Sequence, residues 1–192
     1  MKYIDAFIVS DLGLLMQIRK KFPKVDIVAS VGTCIFNMSA VNFYKKLGVN
    51  NFVLPRSLSL EEIGEISKFE NIKVQCIIKN DDCANIDGLC RFSHGILENE
   101  KCSACEMMGN FKFYGKNEKE KEILKNRFKD YHRFLFKKCG ACFLHDFSKM
   151  KIAGVKIAGR DLELKKRMND VMFIKGAVEK SCMKSGAEYR KK

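Results

Sequence analysis

Short apolar runs alternate with amphipathic stretches along the first 80 residues of the chain. The runs are rich in Ile, Val and Phe and have the length of buried strands. They cover residues 3–9, 25–31, 51–54 and 72–78. A strand, helix, strand order with short connections predicts right-handed crossovers and a parallel sheet. The expected fold class is therefore α/β, built from βα repeats.

Helix signals occupy the intervals between these runs. Ser10 is positioned to cap a first helix, which ends before Pro23. A second helix is predicted over residues 37–47, with a left-handed cap at Gly48. Ser59 and a glutamate three residues later form the capping box of a third helix.

The pattern changes near the middle of the chain. Periodicity fails over residues 80–115, where four cysteines and six acidic side chains predict an insertion. An amphipathic helix is predicted over residues 117–138, and its apolar stripe is expected to be part of the core. The stripe consists of Leu124, Phe128, Tyr131 and Leu135. A helix near residues 143–150, a strand at 154–157 and a charged helix from Asp161 follow.

These elements predict a single domain with four parts. They are βα repeats (1–79), a cysteine-rich insertion (80–115), terminal helices with the last strand (116–180) and a basic tail (181–192). The pattern yields about five strands in 192 residues, whereas a complete eight-stranded barrel typically needs about 250 residues. We therefore expect part of a TIM-barrel-like fold, or an open α/β sheet.

The net charge of +13 is unevenly distributed. Residues 81–110 carry 2 basic and 6 acidic groups, whereas residues 111–138 carry 10 basic and 4 acidic groups. The cysteine-rich stretch is therefore not expected to bind phosphate, while the segment 111–138 can lie against an anionic partner such as RNA. A solvated lysine-rich surface explains the same excess without any partner.

The nine cysteines are an odd number, which argues against a secreted disulfide scaffold. No signal-peptide pattern opens the chain, and no apolar run has the roughly 18 residues that a membrane span needs. We expect a cytoplasmic protein without membrane association, in which clustered thiols bind metal or carry out redox chemistry.

Six of the cysteines are clustered in the sequence: Cys83, Cys90, Cys102, Cys105, Cys139 and Cys142. Thiolates favour a soft or redox-active metal, and the two Cys-x-x-Cys pairs can also form a tetrahedral zinc site. Buried thiols without a ligand role and a dithiol redox pair are the alternatives. Cys34, Cys76 and Cys182 stand alone and are expected to have no ligand role.

Five separated motifs resemble the collagenase-like peptidase family, U32. They are Asp-Ala-Phe-Ile-Val-Ser-Asp-Leu-Gly-Leu-Leu at 5–15, Val-Ala-Ser at 28–30 with Asn37, Val-Leu-Pro-Arg at 53–56 followed by Leu-Ser-Leu-Glu-Glu-Ile at 58–63, the cysteine insertion, and Gly-Val-Lys-Ile-Ala-Gly-Arg at 154–160. The resemblance implies a TIM-barrel-like core with a four-cysteine iron–sulfur site. It also implies oxygen-independent hydroxylation, which several members serve on ubiquinone precursors or on bases of transfer and ribosomal RNA.

The resemblance also implies a ligand set for a 4Fe–4S cluster, with zinc as the alternative. Cys83 and Cys90 look like the first two ligands, and Cys102 and Cys105 rank next. Cys142 is the expected substitute for one of that pair.

Arg56 and Arg160 look like family positions at strand ends, where an arginine can bind a carboxylate of the substrate bidentately. Ser57 and Ala158 stand where the family usually has glutamate, so no catalytic residue is assigned. The family's opening strands are missing before the first motif. We therefore expect either a fragment or a natural short form that pairs with a second subunit completing the barrel.

Three functions remain open on this basis. The first is an iron–sulfur enzyme, or enzyme subunit, that hydroxylates a small aromatic quinone precursor or an RNA base. The second is a peptidase, as the family name says, whose nucleophile and base would come from Ser93, His94 or His145. The third is a zinc-stabilised module that binds RNA through residues 111–138.

Overall fold

A computed structural model of the chain describes residues 4–79, 88–89, 114–125, 139–159 and 162–183. These residues contain a five-stranded parallel sheet with the sequential order β1-β2-β3-β4-β5. The strands are β1 (Ala6–Val9), β2 (Asp26–Ala29), β3 (Asn51–Leu54), β4 (Lys73–Lys79) and β5 (Ile152–Ile157). The prediction of an α/β fold with a parallel sheet is confirmed.

Helices alternate with the strands. They are α1 (Leu12–Lys21), α2 (Met38–Lys46), α3 (Leu60–Ser67), α4 (residues 118–125), α5 (Leu144–Ser148) and α6 (Leu164–Met183). Two short 3-10 turns, Val31–Thr33 and Ala141–Phe143, follow β2 and precede α5. Each helix predicted from the sequence thus has a counterpart, although the segment 117–138 is described only as far as residue 125.

Side-chain hydrogen bonds fix where the first three helices begin. Ser59 and Glu62 form the predicted capping box, and Asn37 caps α2 by accepting from Ala40 N at 3.0 Å. The prediction that Ser10 caps α1 is wrong by one residue. Asp11 caps this helix instead, because its Oδ1 accepts from Leu14 N at 2.6 Å.

One apolar core lies between the sheet and the helices. Every second residue of β1 to β4 packs into it, including Val74, Cys76 and Ile78 of β4, and β5 contributes Ile152, Val155 and Ile157. All helices with described core contacts contribute to this same core, through Leu15, Val41, Tyr44, Ile63, Ile66, Leu144, Phe147 and Ile174. Val28 and Val53 are also buried but lie outside it, so alternation places them on the opposite face of the sheet.

Some predictions fall partly or wholly outside the described residues. The expected burial of the 117–138 stripe is wrong for Leu124, which is 40% exposed, while Phe128, Tyr131 and Leu135 lie outside the described part. Most of the insertion and the end of the basic tail lie outside it as well. Within the described residues, no helix is both long and apolar enough to cross a membrane.

Candidate functional site at the carboxyl edge of the sheet

The five parallel strands end at one edge, which we call the carboxyl edge. In α/β folds, binding and catalytic groups are built on the loops at this edge. The strands lead here into Ser10, Ser30, Arg56, Lys79 and Ala158. Backbone bonds join neighbouring ends: Ser30 N donates to Val9 O at 2.9 Å, and Ala158 N donates to Lys79 O at 3.0 Å.

The long segment between β4 and α5 leaves the sheet and returns to it at the same point. Lys79, the last residue of β4, pairs in antiparallel fashion with Cys139. Gly140 N then donates to Ile78 O at 2.7 Å. The cysteine-bearing segment is therefore anchored at both ends to the carboxyl edge of β4.

The second Cys-x-x-Cys pair lies on the turn that makes this anchor. Cys139 is partly exposed and precedes the 3-10 turn Ala141–Phe143, and Cys142 is exposed and lies within that turn, directly before α5. Two accessible thiols on one tight turn fit the ligand chemistry of a soft or redox-active metal. Among the described residues, no group of three or more His, Cys, Asp or Glu can hold a metal. The other predicted ligands, Cys83, Cys90, Cys102 and Cys105, lie outside those residues.

Gly88 lies against the turn that follows β2. Its φ is +82°, and a Cβ added here would lie 2.1 Å from Gly32 O and 3.0 Å from Cys34 Sγ. Only glycine fits such a close backbone approach in the left-handed region. Gly88 stands between Cys83 and Cys90 in the sequence, so this contact brings part of the insertion to the carboxyl edge.

Cys34 itself belongs to this edge, which its isolated position in the sequence did not indicate. It ends the turn after β2 with a φ of 55° and is partly exposed. Burial raises the pKa of Tyr44 above its usual range, and the nearby Cys34 thiolate raises it further. Cys76 differs, because burial alone raises the pKa of its thiol to about 12 and keeps it protonated in the core.

Of the two arginines predicted to bind substrate, the structure describes Arg56 but not Arg160. Arg56 follows the buried Pro55 at the end of β3 and is half-buried at the carboxyl edge. Arg160 lies outside the described residues.

Lys79 was not predicted as a site residue, yet its Nζ lies 3.3 Å from Asp170 Oδ1 and 5.6 Å from the ring centroid of Phe173. This contact connects the end of β4 with α6, and no short-range sequence pattern signals it.

His145 has a structural position in the core. It is only 6% exposed, and its Nδ1 lies 3.2 Å from Ser181 O, between α5 and α6. A histidine so enclosed cannot reach a peptide substrate without opening this helix contact. The other two candidates for peptidase chemistry, Ser93 and His94, lie outside the described residues.

A family model for peptidase family U32 matches residues 2–190. The chain belongs to peptidase family U32. The resemblance inferred from the motifs is thereby confirmed over nearly the whole chain. No solved structure matches the chain.

Several characterised proteins are similar to this U32 chain over about half of its length. The tRNA hydroxylation protein P of Haemophilus influenzae is 37% identical over 90 residues, which are 46% of this chain and 20% of that protein. Its Escherichia coli counterpart is 36% identical over the same shares. The 23S rRNA 5-hydroxycytidine C2501 synthase of Escherichia coli is 29% identical over 91 residues, 47% of this chain and 14% of the synthase. The match thus covers about a fifth of the tRNA hydroxylation proteins.

Proposed function

We propose that this U32 chain acts in RNA hydroxylation, as an enzyme or as a subunit of one, and binds its RNA base at the carboxyl edge. The support from relatives is that their names assign them to tRNA or rRNA hydroxylation. The structural observation that carries the proposal is the return of the cysteine-bearing segment to Lys79. It brings thiols to the edge where α/β folds bind substrates, the same edge at which the half-buried Arg56 follows β3.

We propose that a 4Fe–4S cluster is held by Cys83, Cys90, Cys102 and Cys105, with Cys142 as the substitute for one of the last two. Cys142 supports this assignment because its thiol is exposed beside the strand end at which the insertion begins. Such a cluster supplies one-electron transfer when it is bound. Arg56 then has a separate role, since its guanidinium can bind an anionic group of the substrate and orient it.

We further propose that the sheet is one wall of a TIM-barrel-like fold. A sequential strand order with helices packed on one face is typical of such a wall, whereas doubly wound sheets reverse their order and carry helices on both faces. Ile8 is 61% exposed and pairs with Val28 on the face away from the helices. All-parallel sheets occur almost only with both faces covered. Additional strands, from a second subunit or further chain, would cover this face.

The RNA role is tested in cells that encode this chain, by mass spectrometry of nucleosides from total tRNA and rRNA. We expect deletion of the gene to remove one hydroxylated nucleoside. The wild type and Arg167→Gln, a change on an exposed part of α6, should restore it, whereas Arg56→Gln should not. Unchanged hydroxylated nucleosides would contradict the proposal, and a loss of quinone instead would favour a quinone precursor as substrate.

The cluster is tested separately, by quantifying iron, sulfide and zinc in protein purified without oxygen. We expect brown protein with iron and sulfide in equal amounts, and loss of both in Cys83→Ser. A colourless protein that contains zinc would contradict the cluster and favour the zinc-stabilised RNA-binding module.

A further inference from the structure

The last helix, α6, has two apolar faces. One face packs inward through Ile174, which is 3% exposed, and the partly buried Ala177, and Asp170 and Ser181 are buried beside them. The other face points away from this contact and carries five large exposed side chains. These are Leu164, Met168, Val171, Met172 and Val178, with exposures of 64, 59, 51, 67 and 37%. A helix that is apolar on two sides is typical of an element covered by two layers.

The exposed face follows a heptad pattern. Leu164, Met168, Val171, Lys175 and Val178 succeed one another at intervals of four and three residues, and Cys182 continues this spacing in the sequence. Intervals of this kind form the seam of a coiled coil, and a single lysine in a seam selects register and orientation. The part from Leu164 to Val178 is roughly 21 Å long at 1.5 Å per residue.

We propose that this seam binds α6 of a second copy of the chain, with the two helices antiparallel. The charges beside the seam identify a second copy as the occupant. Lys165 and Glu179 are both exposed and occupy the same heptad position on opposite sides of Met172. Antiparallel pairing therefore places Lys165 of each copy beside Glu179 of the other, with the two Met172 side chains near the symmetry axis.

Lys175 decides between the two orientations. A parallel pair would place the two Lys175 ammonium groups against each other inside the seam, which is destabilising. In the antiparallel pair each Lys175 lies opposite Val171 of the second copy. Its aliphatic stem covers that valine while the ammonium reaches solvent. The contact uses neither Arg56 nor the cysteines, so it goes beyond the proposed function and does not depend on it.

Self-association of the full chain tests this inference, by sedimentation equilibrium in reducing buffer so that thiols cannot cross-link the copies. We expect a dimer whose dissociation constant rises more than a hundredfold in Met168→Glu, because two buried methionines are replaced by charges. Lys166→Glu makes a charge change at an exposed position of α6 outside the seam, and it should leave the dissociation constant within about threefold. Circular dichroism verifies that both variants remain folded.

A charge swap tests the antiparallel geometry. Lys165→Glu and Glu179→Lys should each weaken the dimer roughly fivefold, and the double variant should restore it. The two residues are about 21 Å apart within one helix, so rescue requires contact between copies. A chain that stays monomeric at all concentrations would overturn the proposal. A dimer that is insensitive to Met168→Glu, or a double variant without rescue, would overturn it as well.

Discussion

The Lys79 ammonium lies 3.3 Å from a carboxylate oxygen of Asp170, and this ion pair fastens α6 to the end of β4. The two side chains are only 17% and 11% exposed, so water screens their attraction weakly. Asp170→Asn removes one charge and leaves the other poorly solvated. We expect the free energy of unfolding to fall by about 2 kcal/mol, as measured by chemical denaturation.

The exposed pair Lys121 and Glu118 provides the control for this prediction. Its side chains are 41% and 88% exposed, and surface pairs contribute little. Glu118→Gln should therefore change the free energy of unfolding by less than about 0.5 kcal/mol. Equal effects of the two substitutions would mean that the Lys79 pair does not stabilise the contact between β4 and α6.

Two glycines should respond to alanine with opposite signs. Gly48 has a φ of +78°, and a Cβ added there would lie 3.0 Å from Arg19 Nε. Arg19 is held nearby, because its guanidinium donates to the carbonyl oxygens of Pro23, Val25 and Gly48 at 2.7 to 2.9 Å. Gly48→Ala should lower the free energy of unfolding by about 1–2 kcal/mol through its left-handed backbone.

Gly64 is the matched control inside α3. A Cβ there would lie 3.7 Å from Met150 Cε, which is ordinary contact, and alanine favours a helix interior by up to about 1 kcal/mol. Gly64→Ala should therefore raise the free energy of unfolding. If both substitutions destabilise the protein equally, backbone conformation is not what distinguishes the two positions.

Local signals predicted the elements well. The capping box of Ser59 and Glu62 and the left-handed Gly48 depend on residues within one helical turn, so the sequence pattern suffices to find them. Ser10 and Asp11 show the limit of such signals. Both residue types cap helices, but the Asp11 carboxylate accepts from Leu14 N, while the Ser10 hydroxyl lies 2.8 Å from where a Cβ at Gly32 would be.

Contacts between distant segments could not be predicted in the same way. Gly88 against Gly32 and Lys79 against Asp170 join residues far apart in the chain, and their geometry exists only once the sheet has formed. For the same reason, no local sequence pattern indicated that Cys34 lies at the carboxyl edge. The family resemblance names Cys142 as a substitute ligand, and this role remains a prediction.

The capping box predicts that the free energy of unfolding depends on pH through one carboxylate, that of Glu62. Ser59 N donates to Glu62 Oε2 at 2.7 Å, and this backbone bond, followed by the Ser59 hydroxyl, lowers the pKa of Glu62 below its usual 4.5. A folded-state pKa below the unfolded one stabilises the protein above pH 4.5, and that stabilisation is lost as the pH falls through the folded value. Urea denaturation of wild type and Glu62→Gln should therefore differ at neutral pH and converge in acid. Glu61→Gln removes a charge from the same helical turn without this bond and should not reproduce the convergence.

Thiol reactivity should distinguish the exposed cysteine of the site from the buried one in the core. Cys142 is exposed, whereas Cys76 is 4% exposed and burial raises its pKa to about 12. At pH 8 only roughly one Cys76 thiol in ten thousand is ionised, so a maleimide should label Cys142 in metal-free folded protein and label Cys76 only after unfolding. Peptide mass spectrometry reads both positions, and rapid labelling of Cys76 in folded protein would contradict the prediction. The same experiment on anaerobically purified protein tests the ligand assignment, because Cys142 is protected if it binds the cluster and remains reactive if Cys102 and Cys105 complete the set without it.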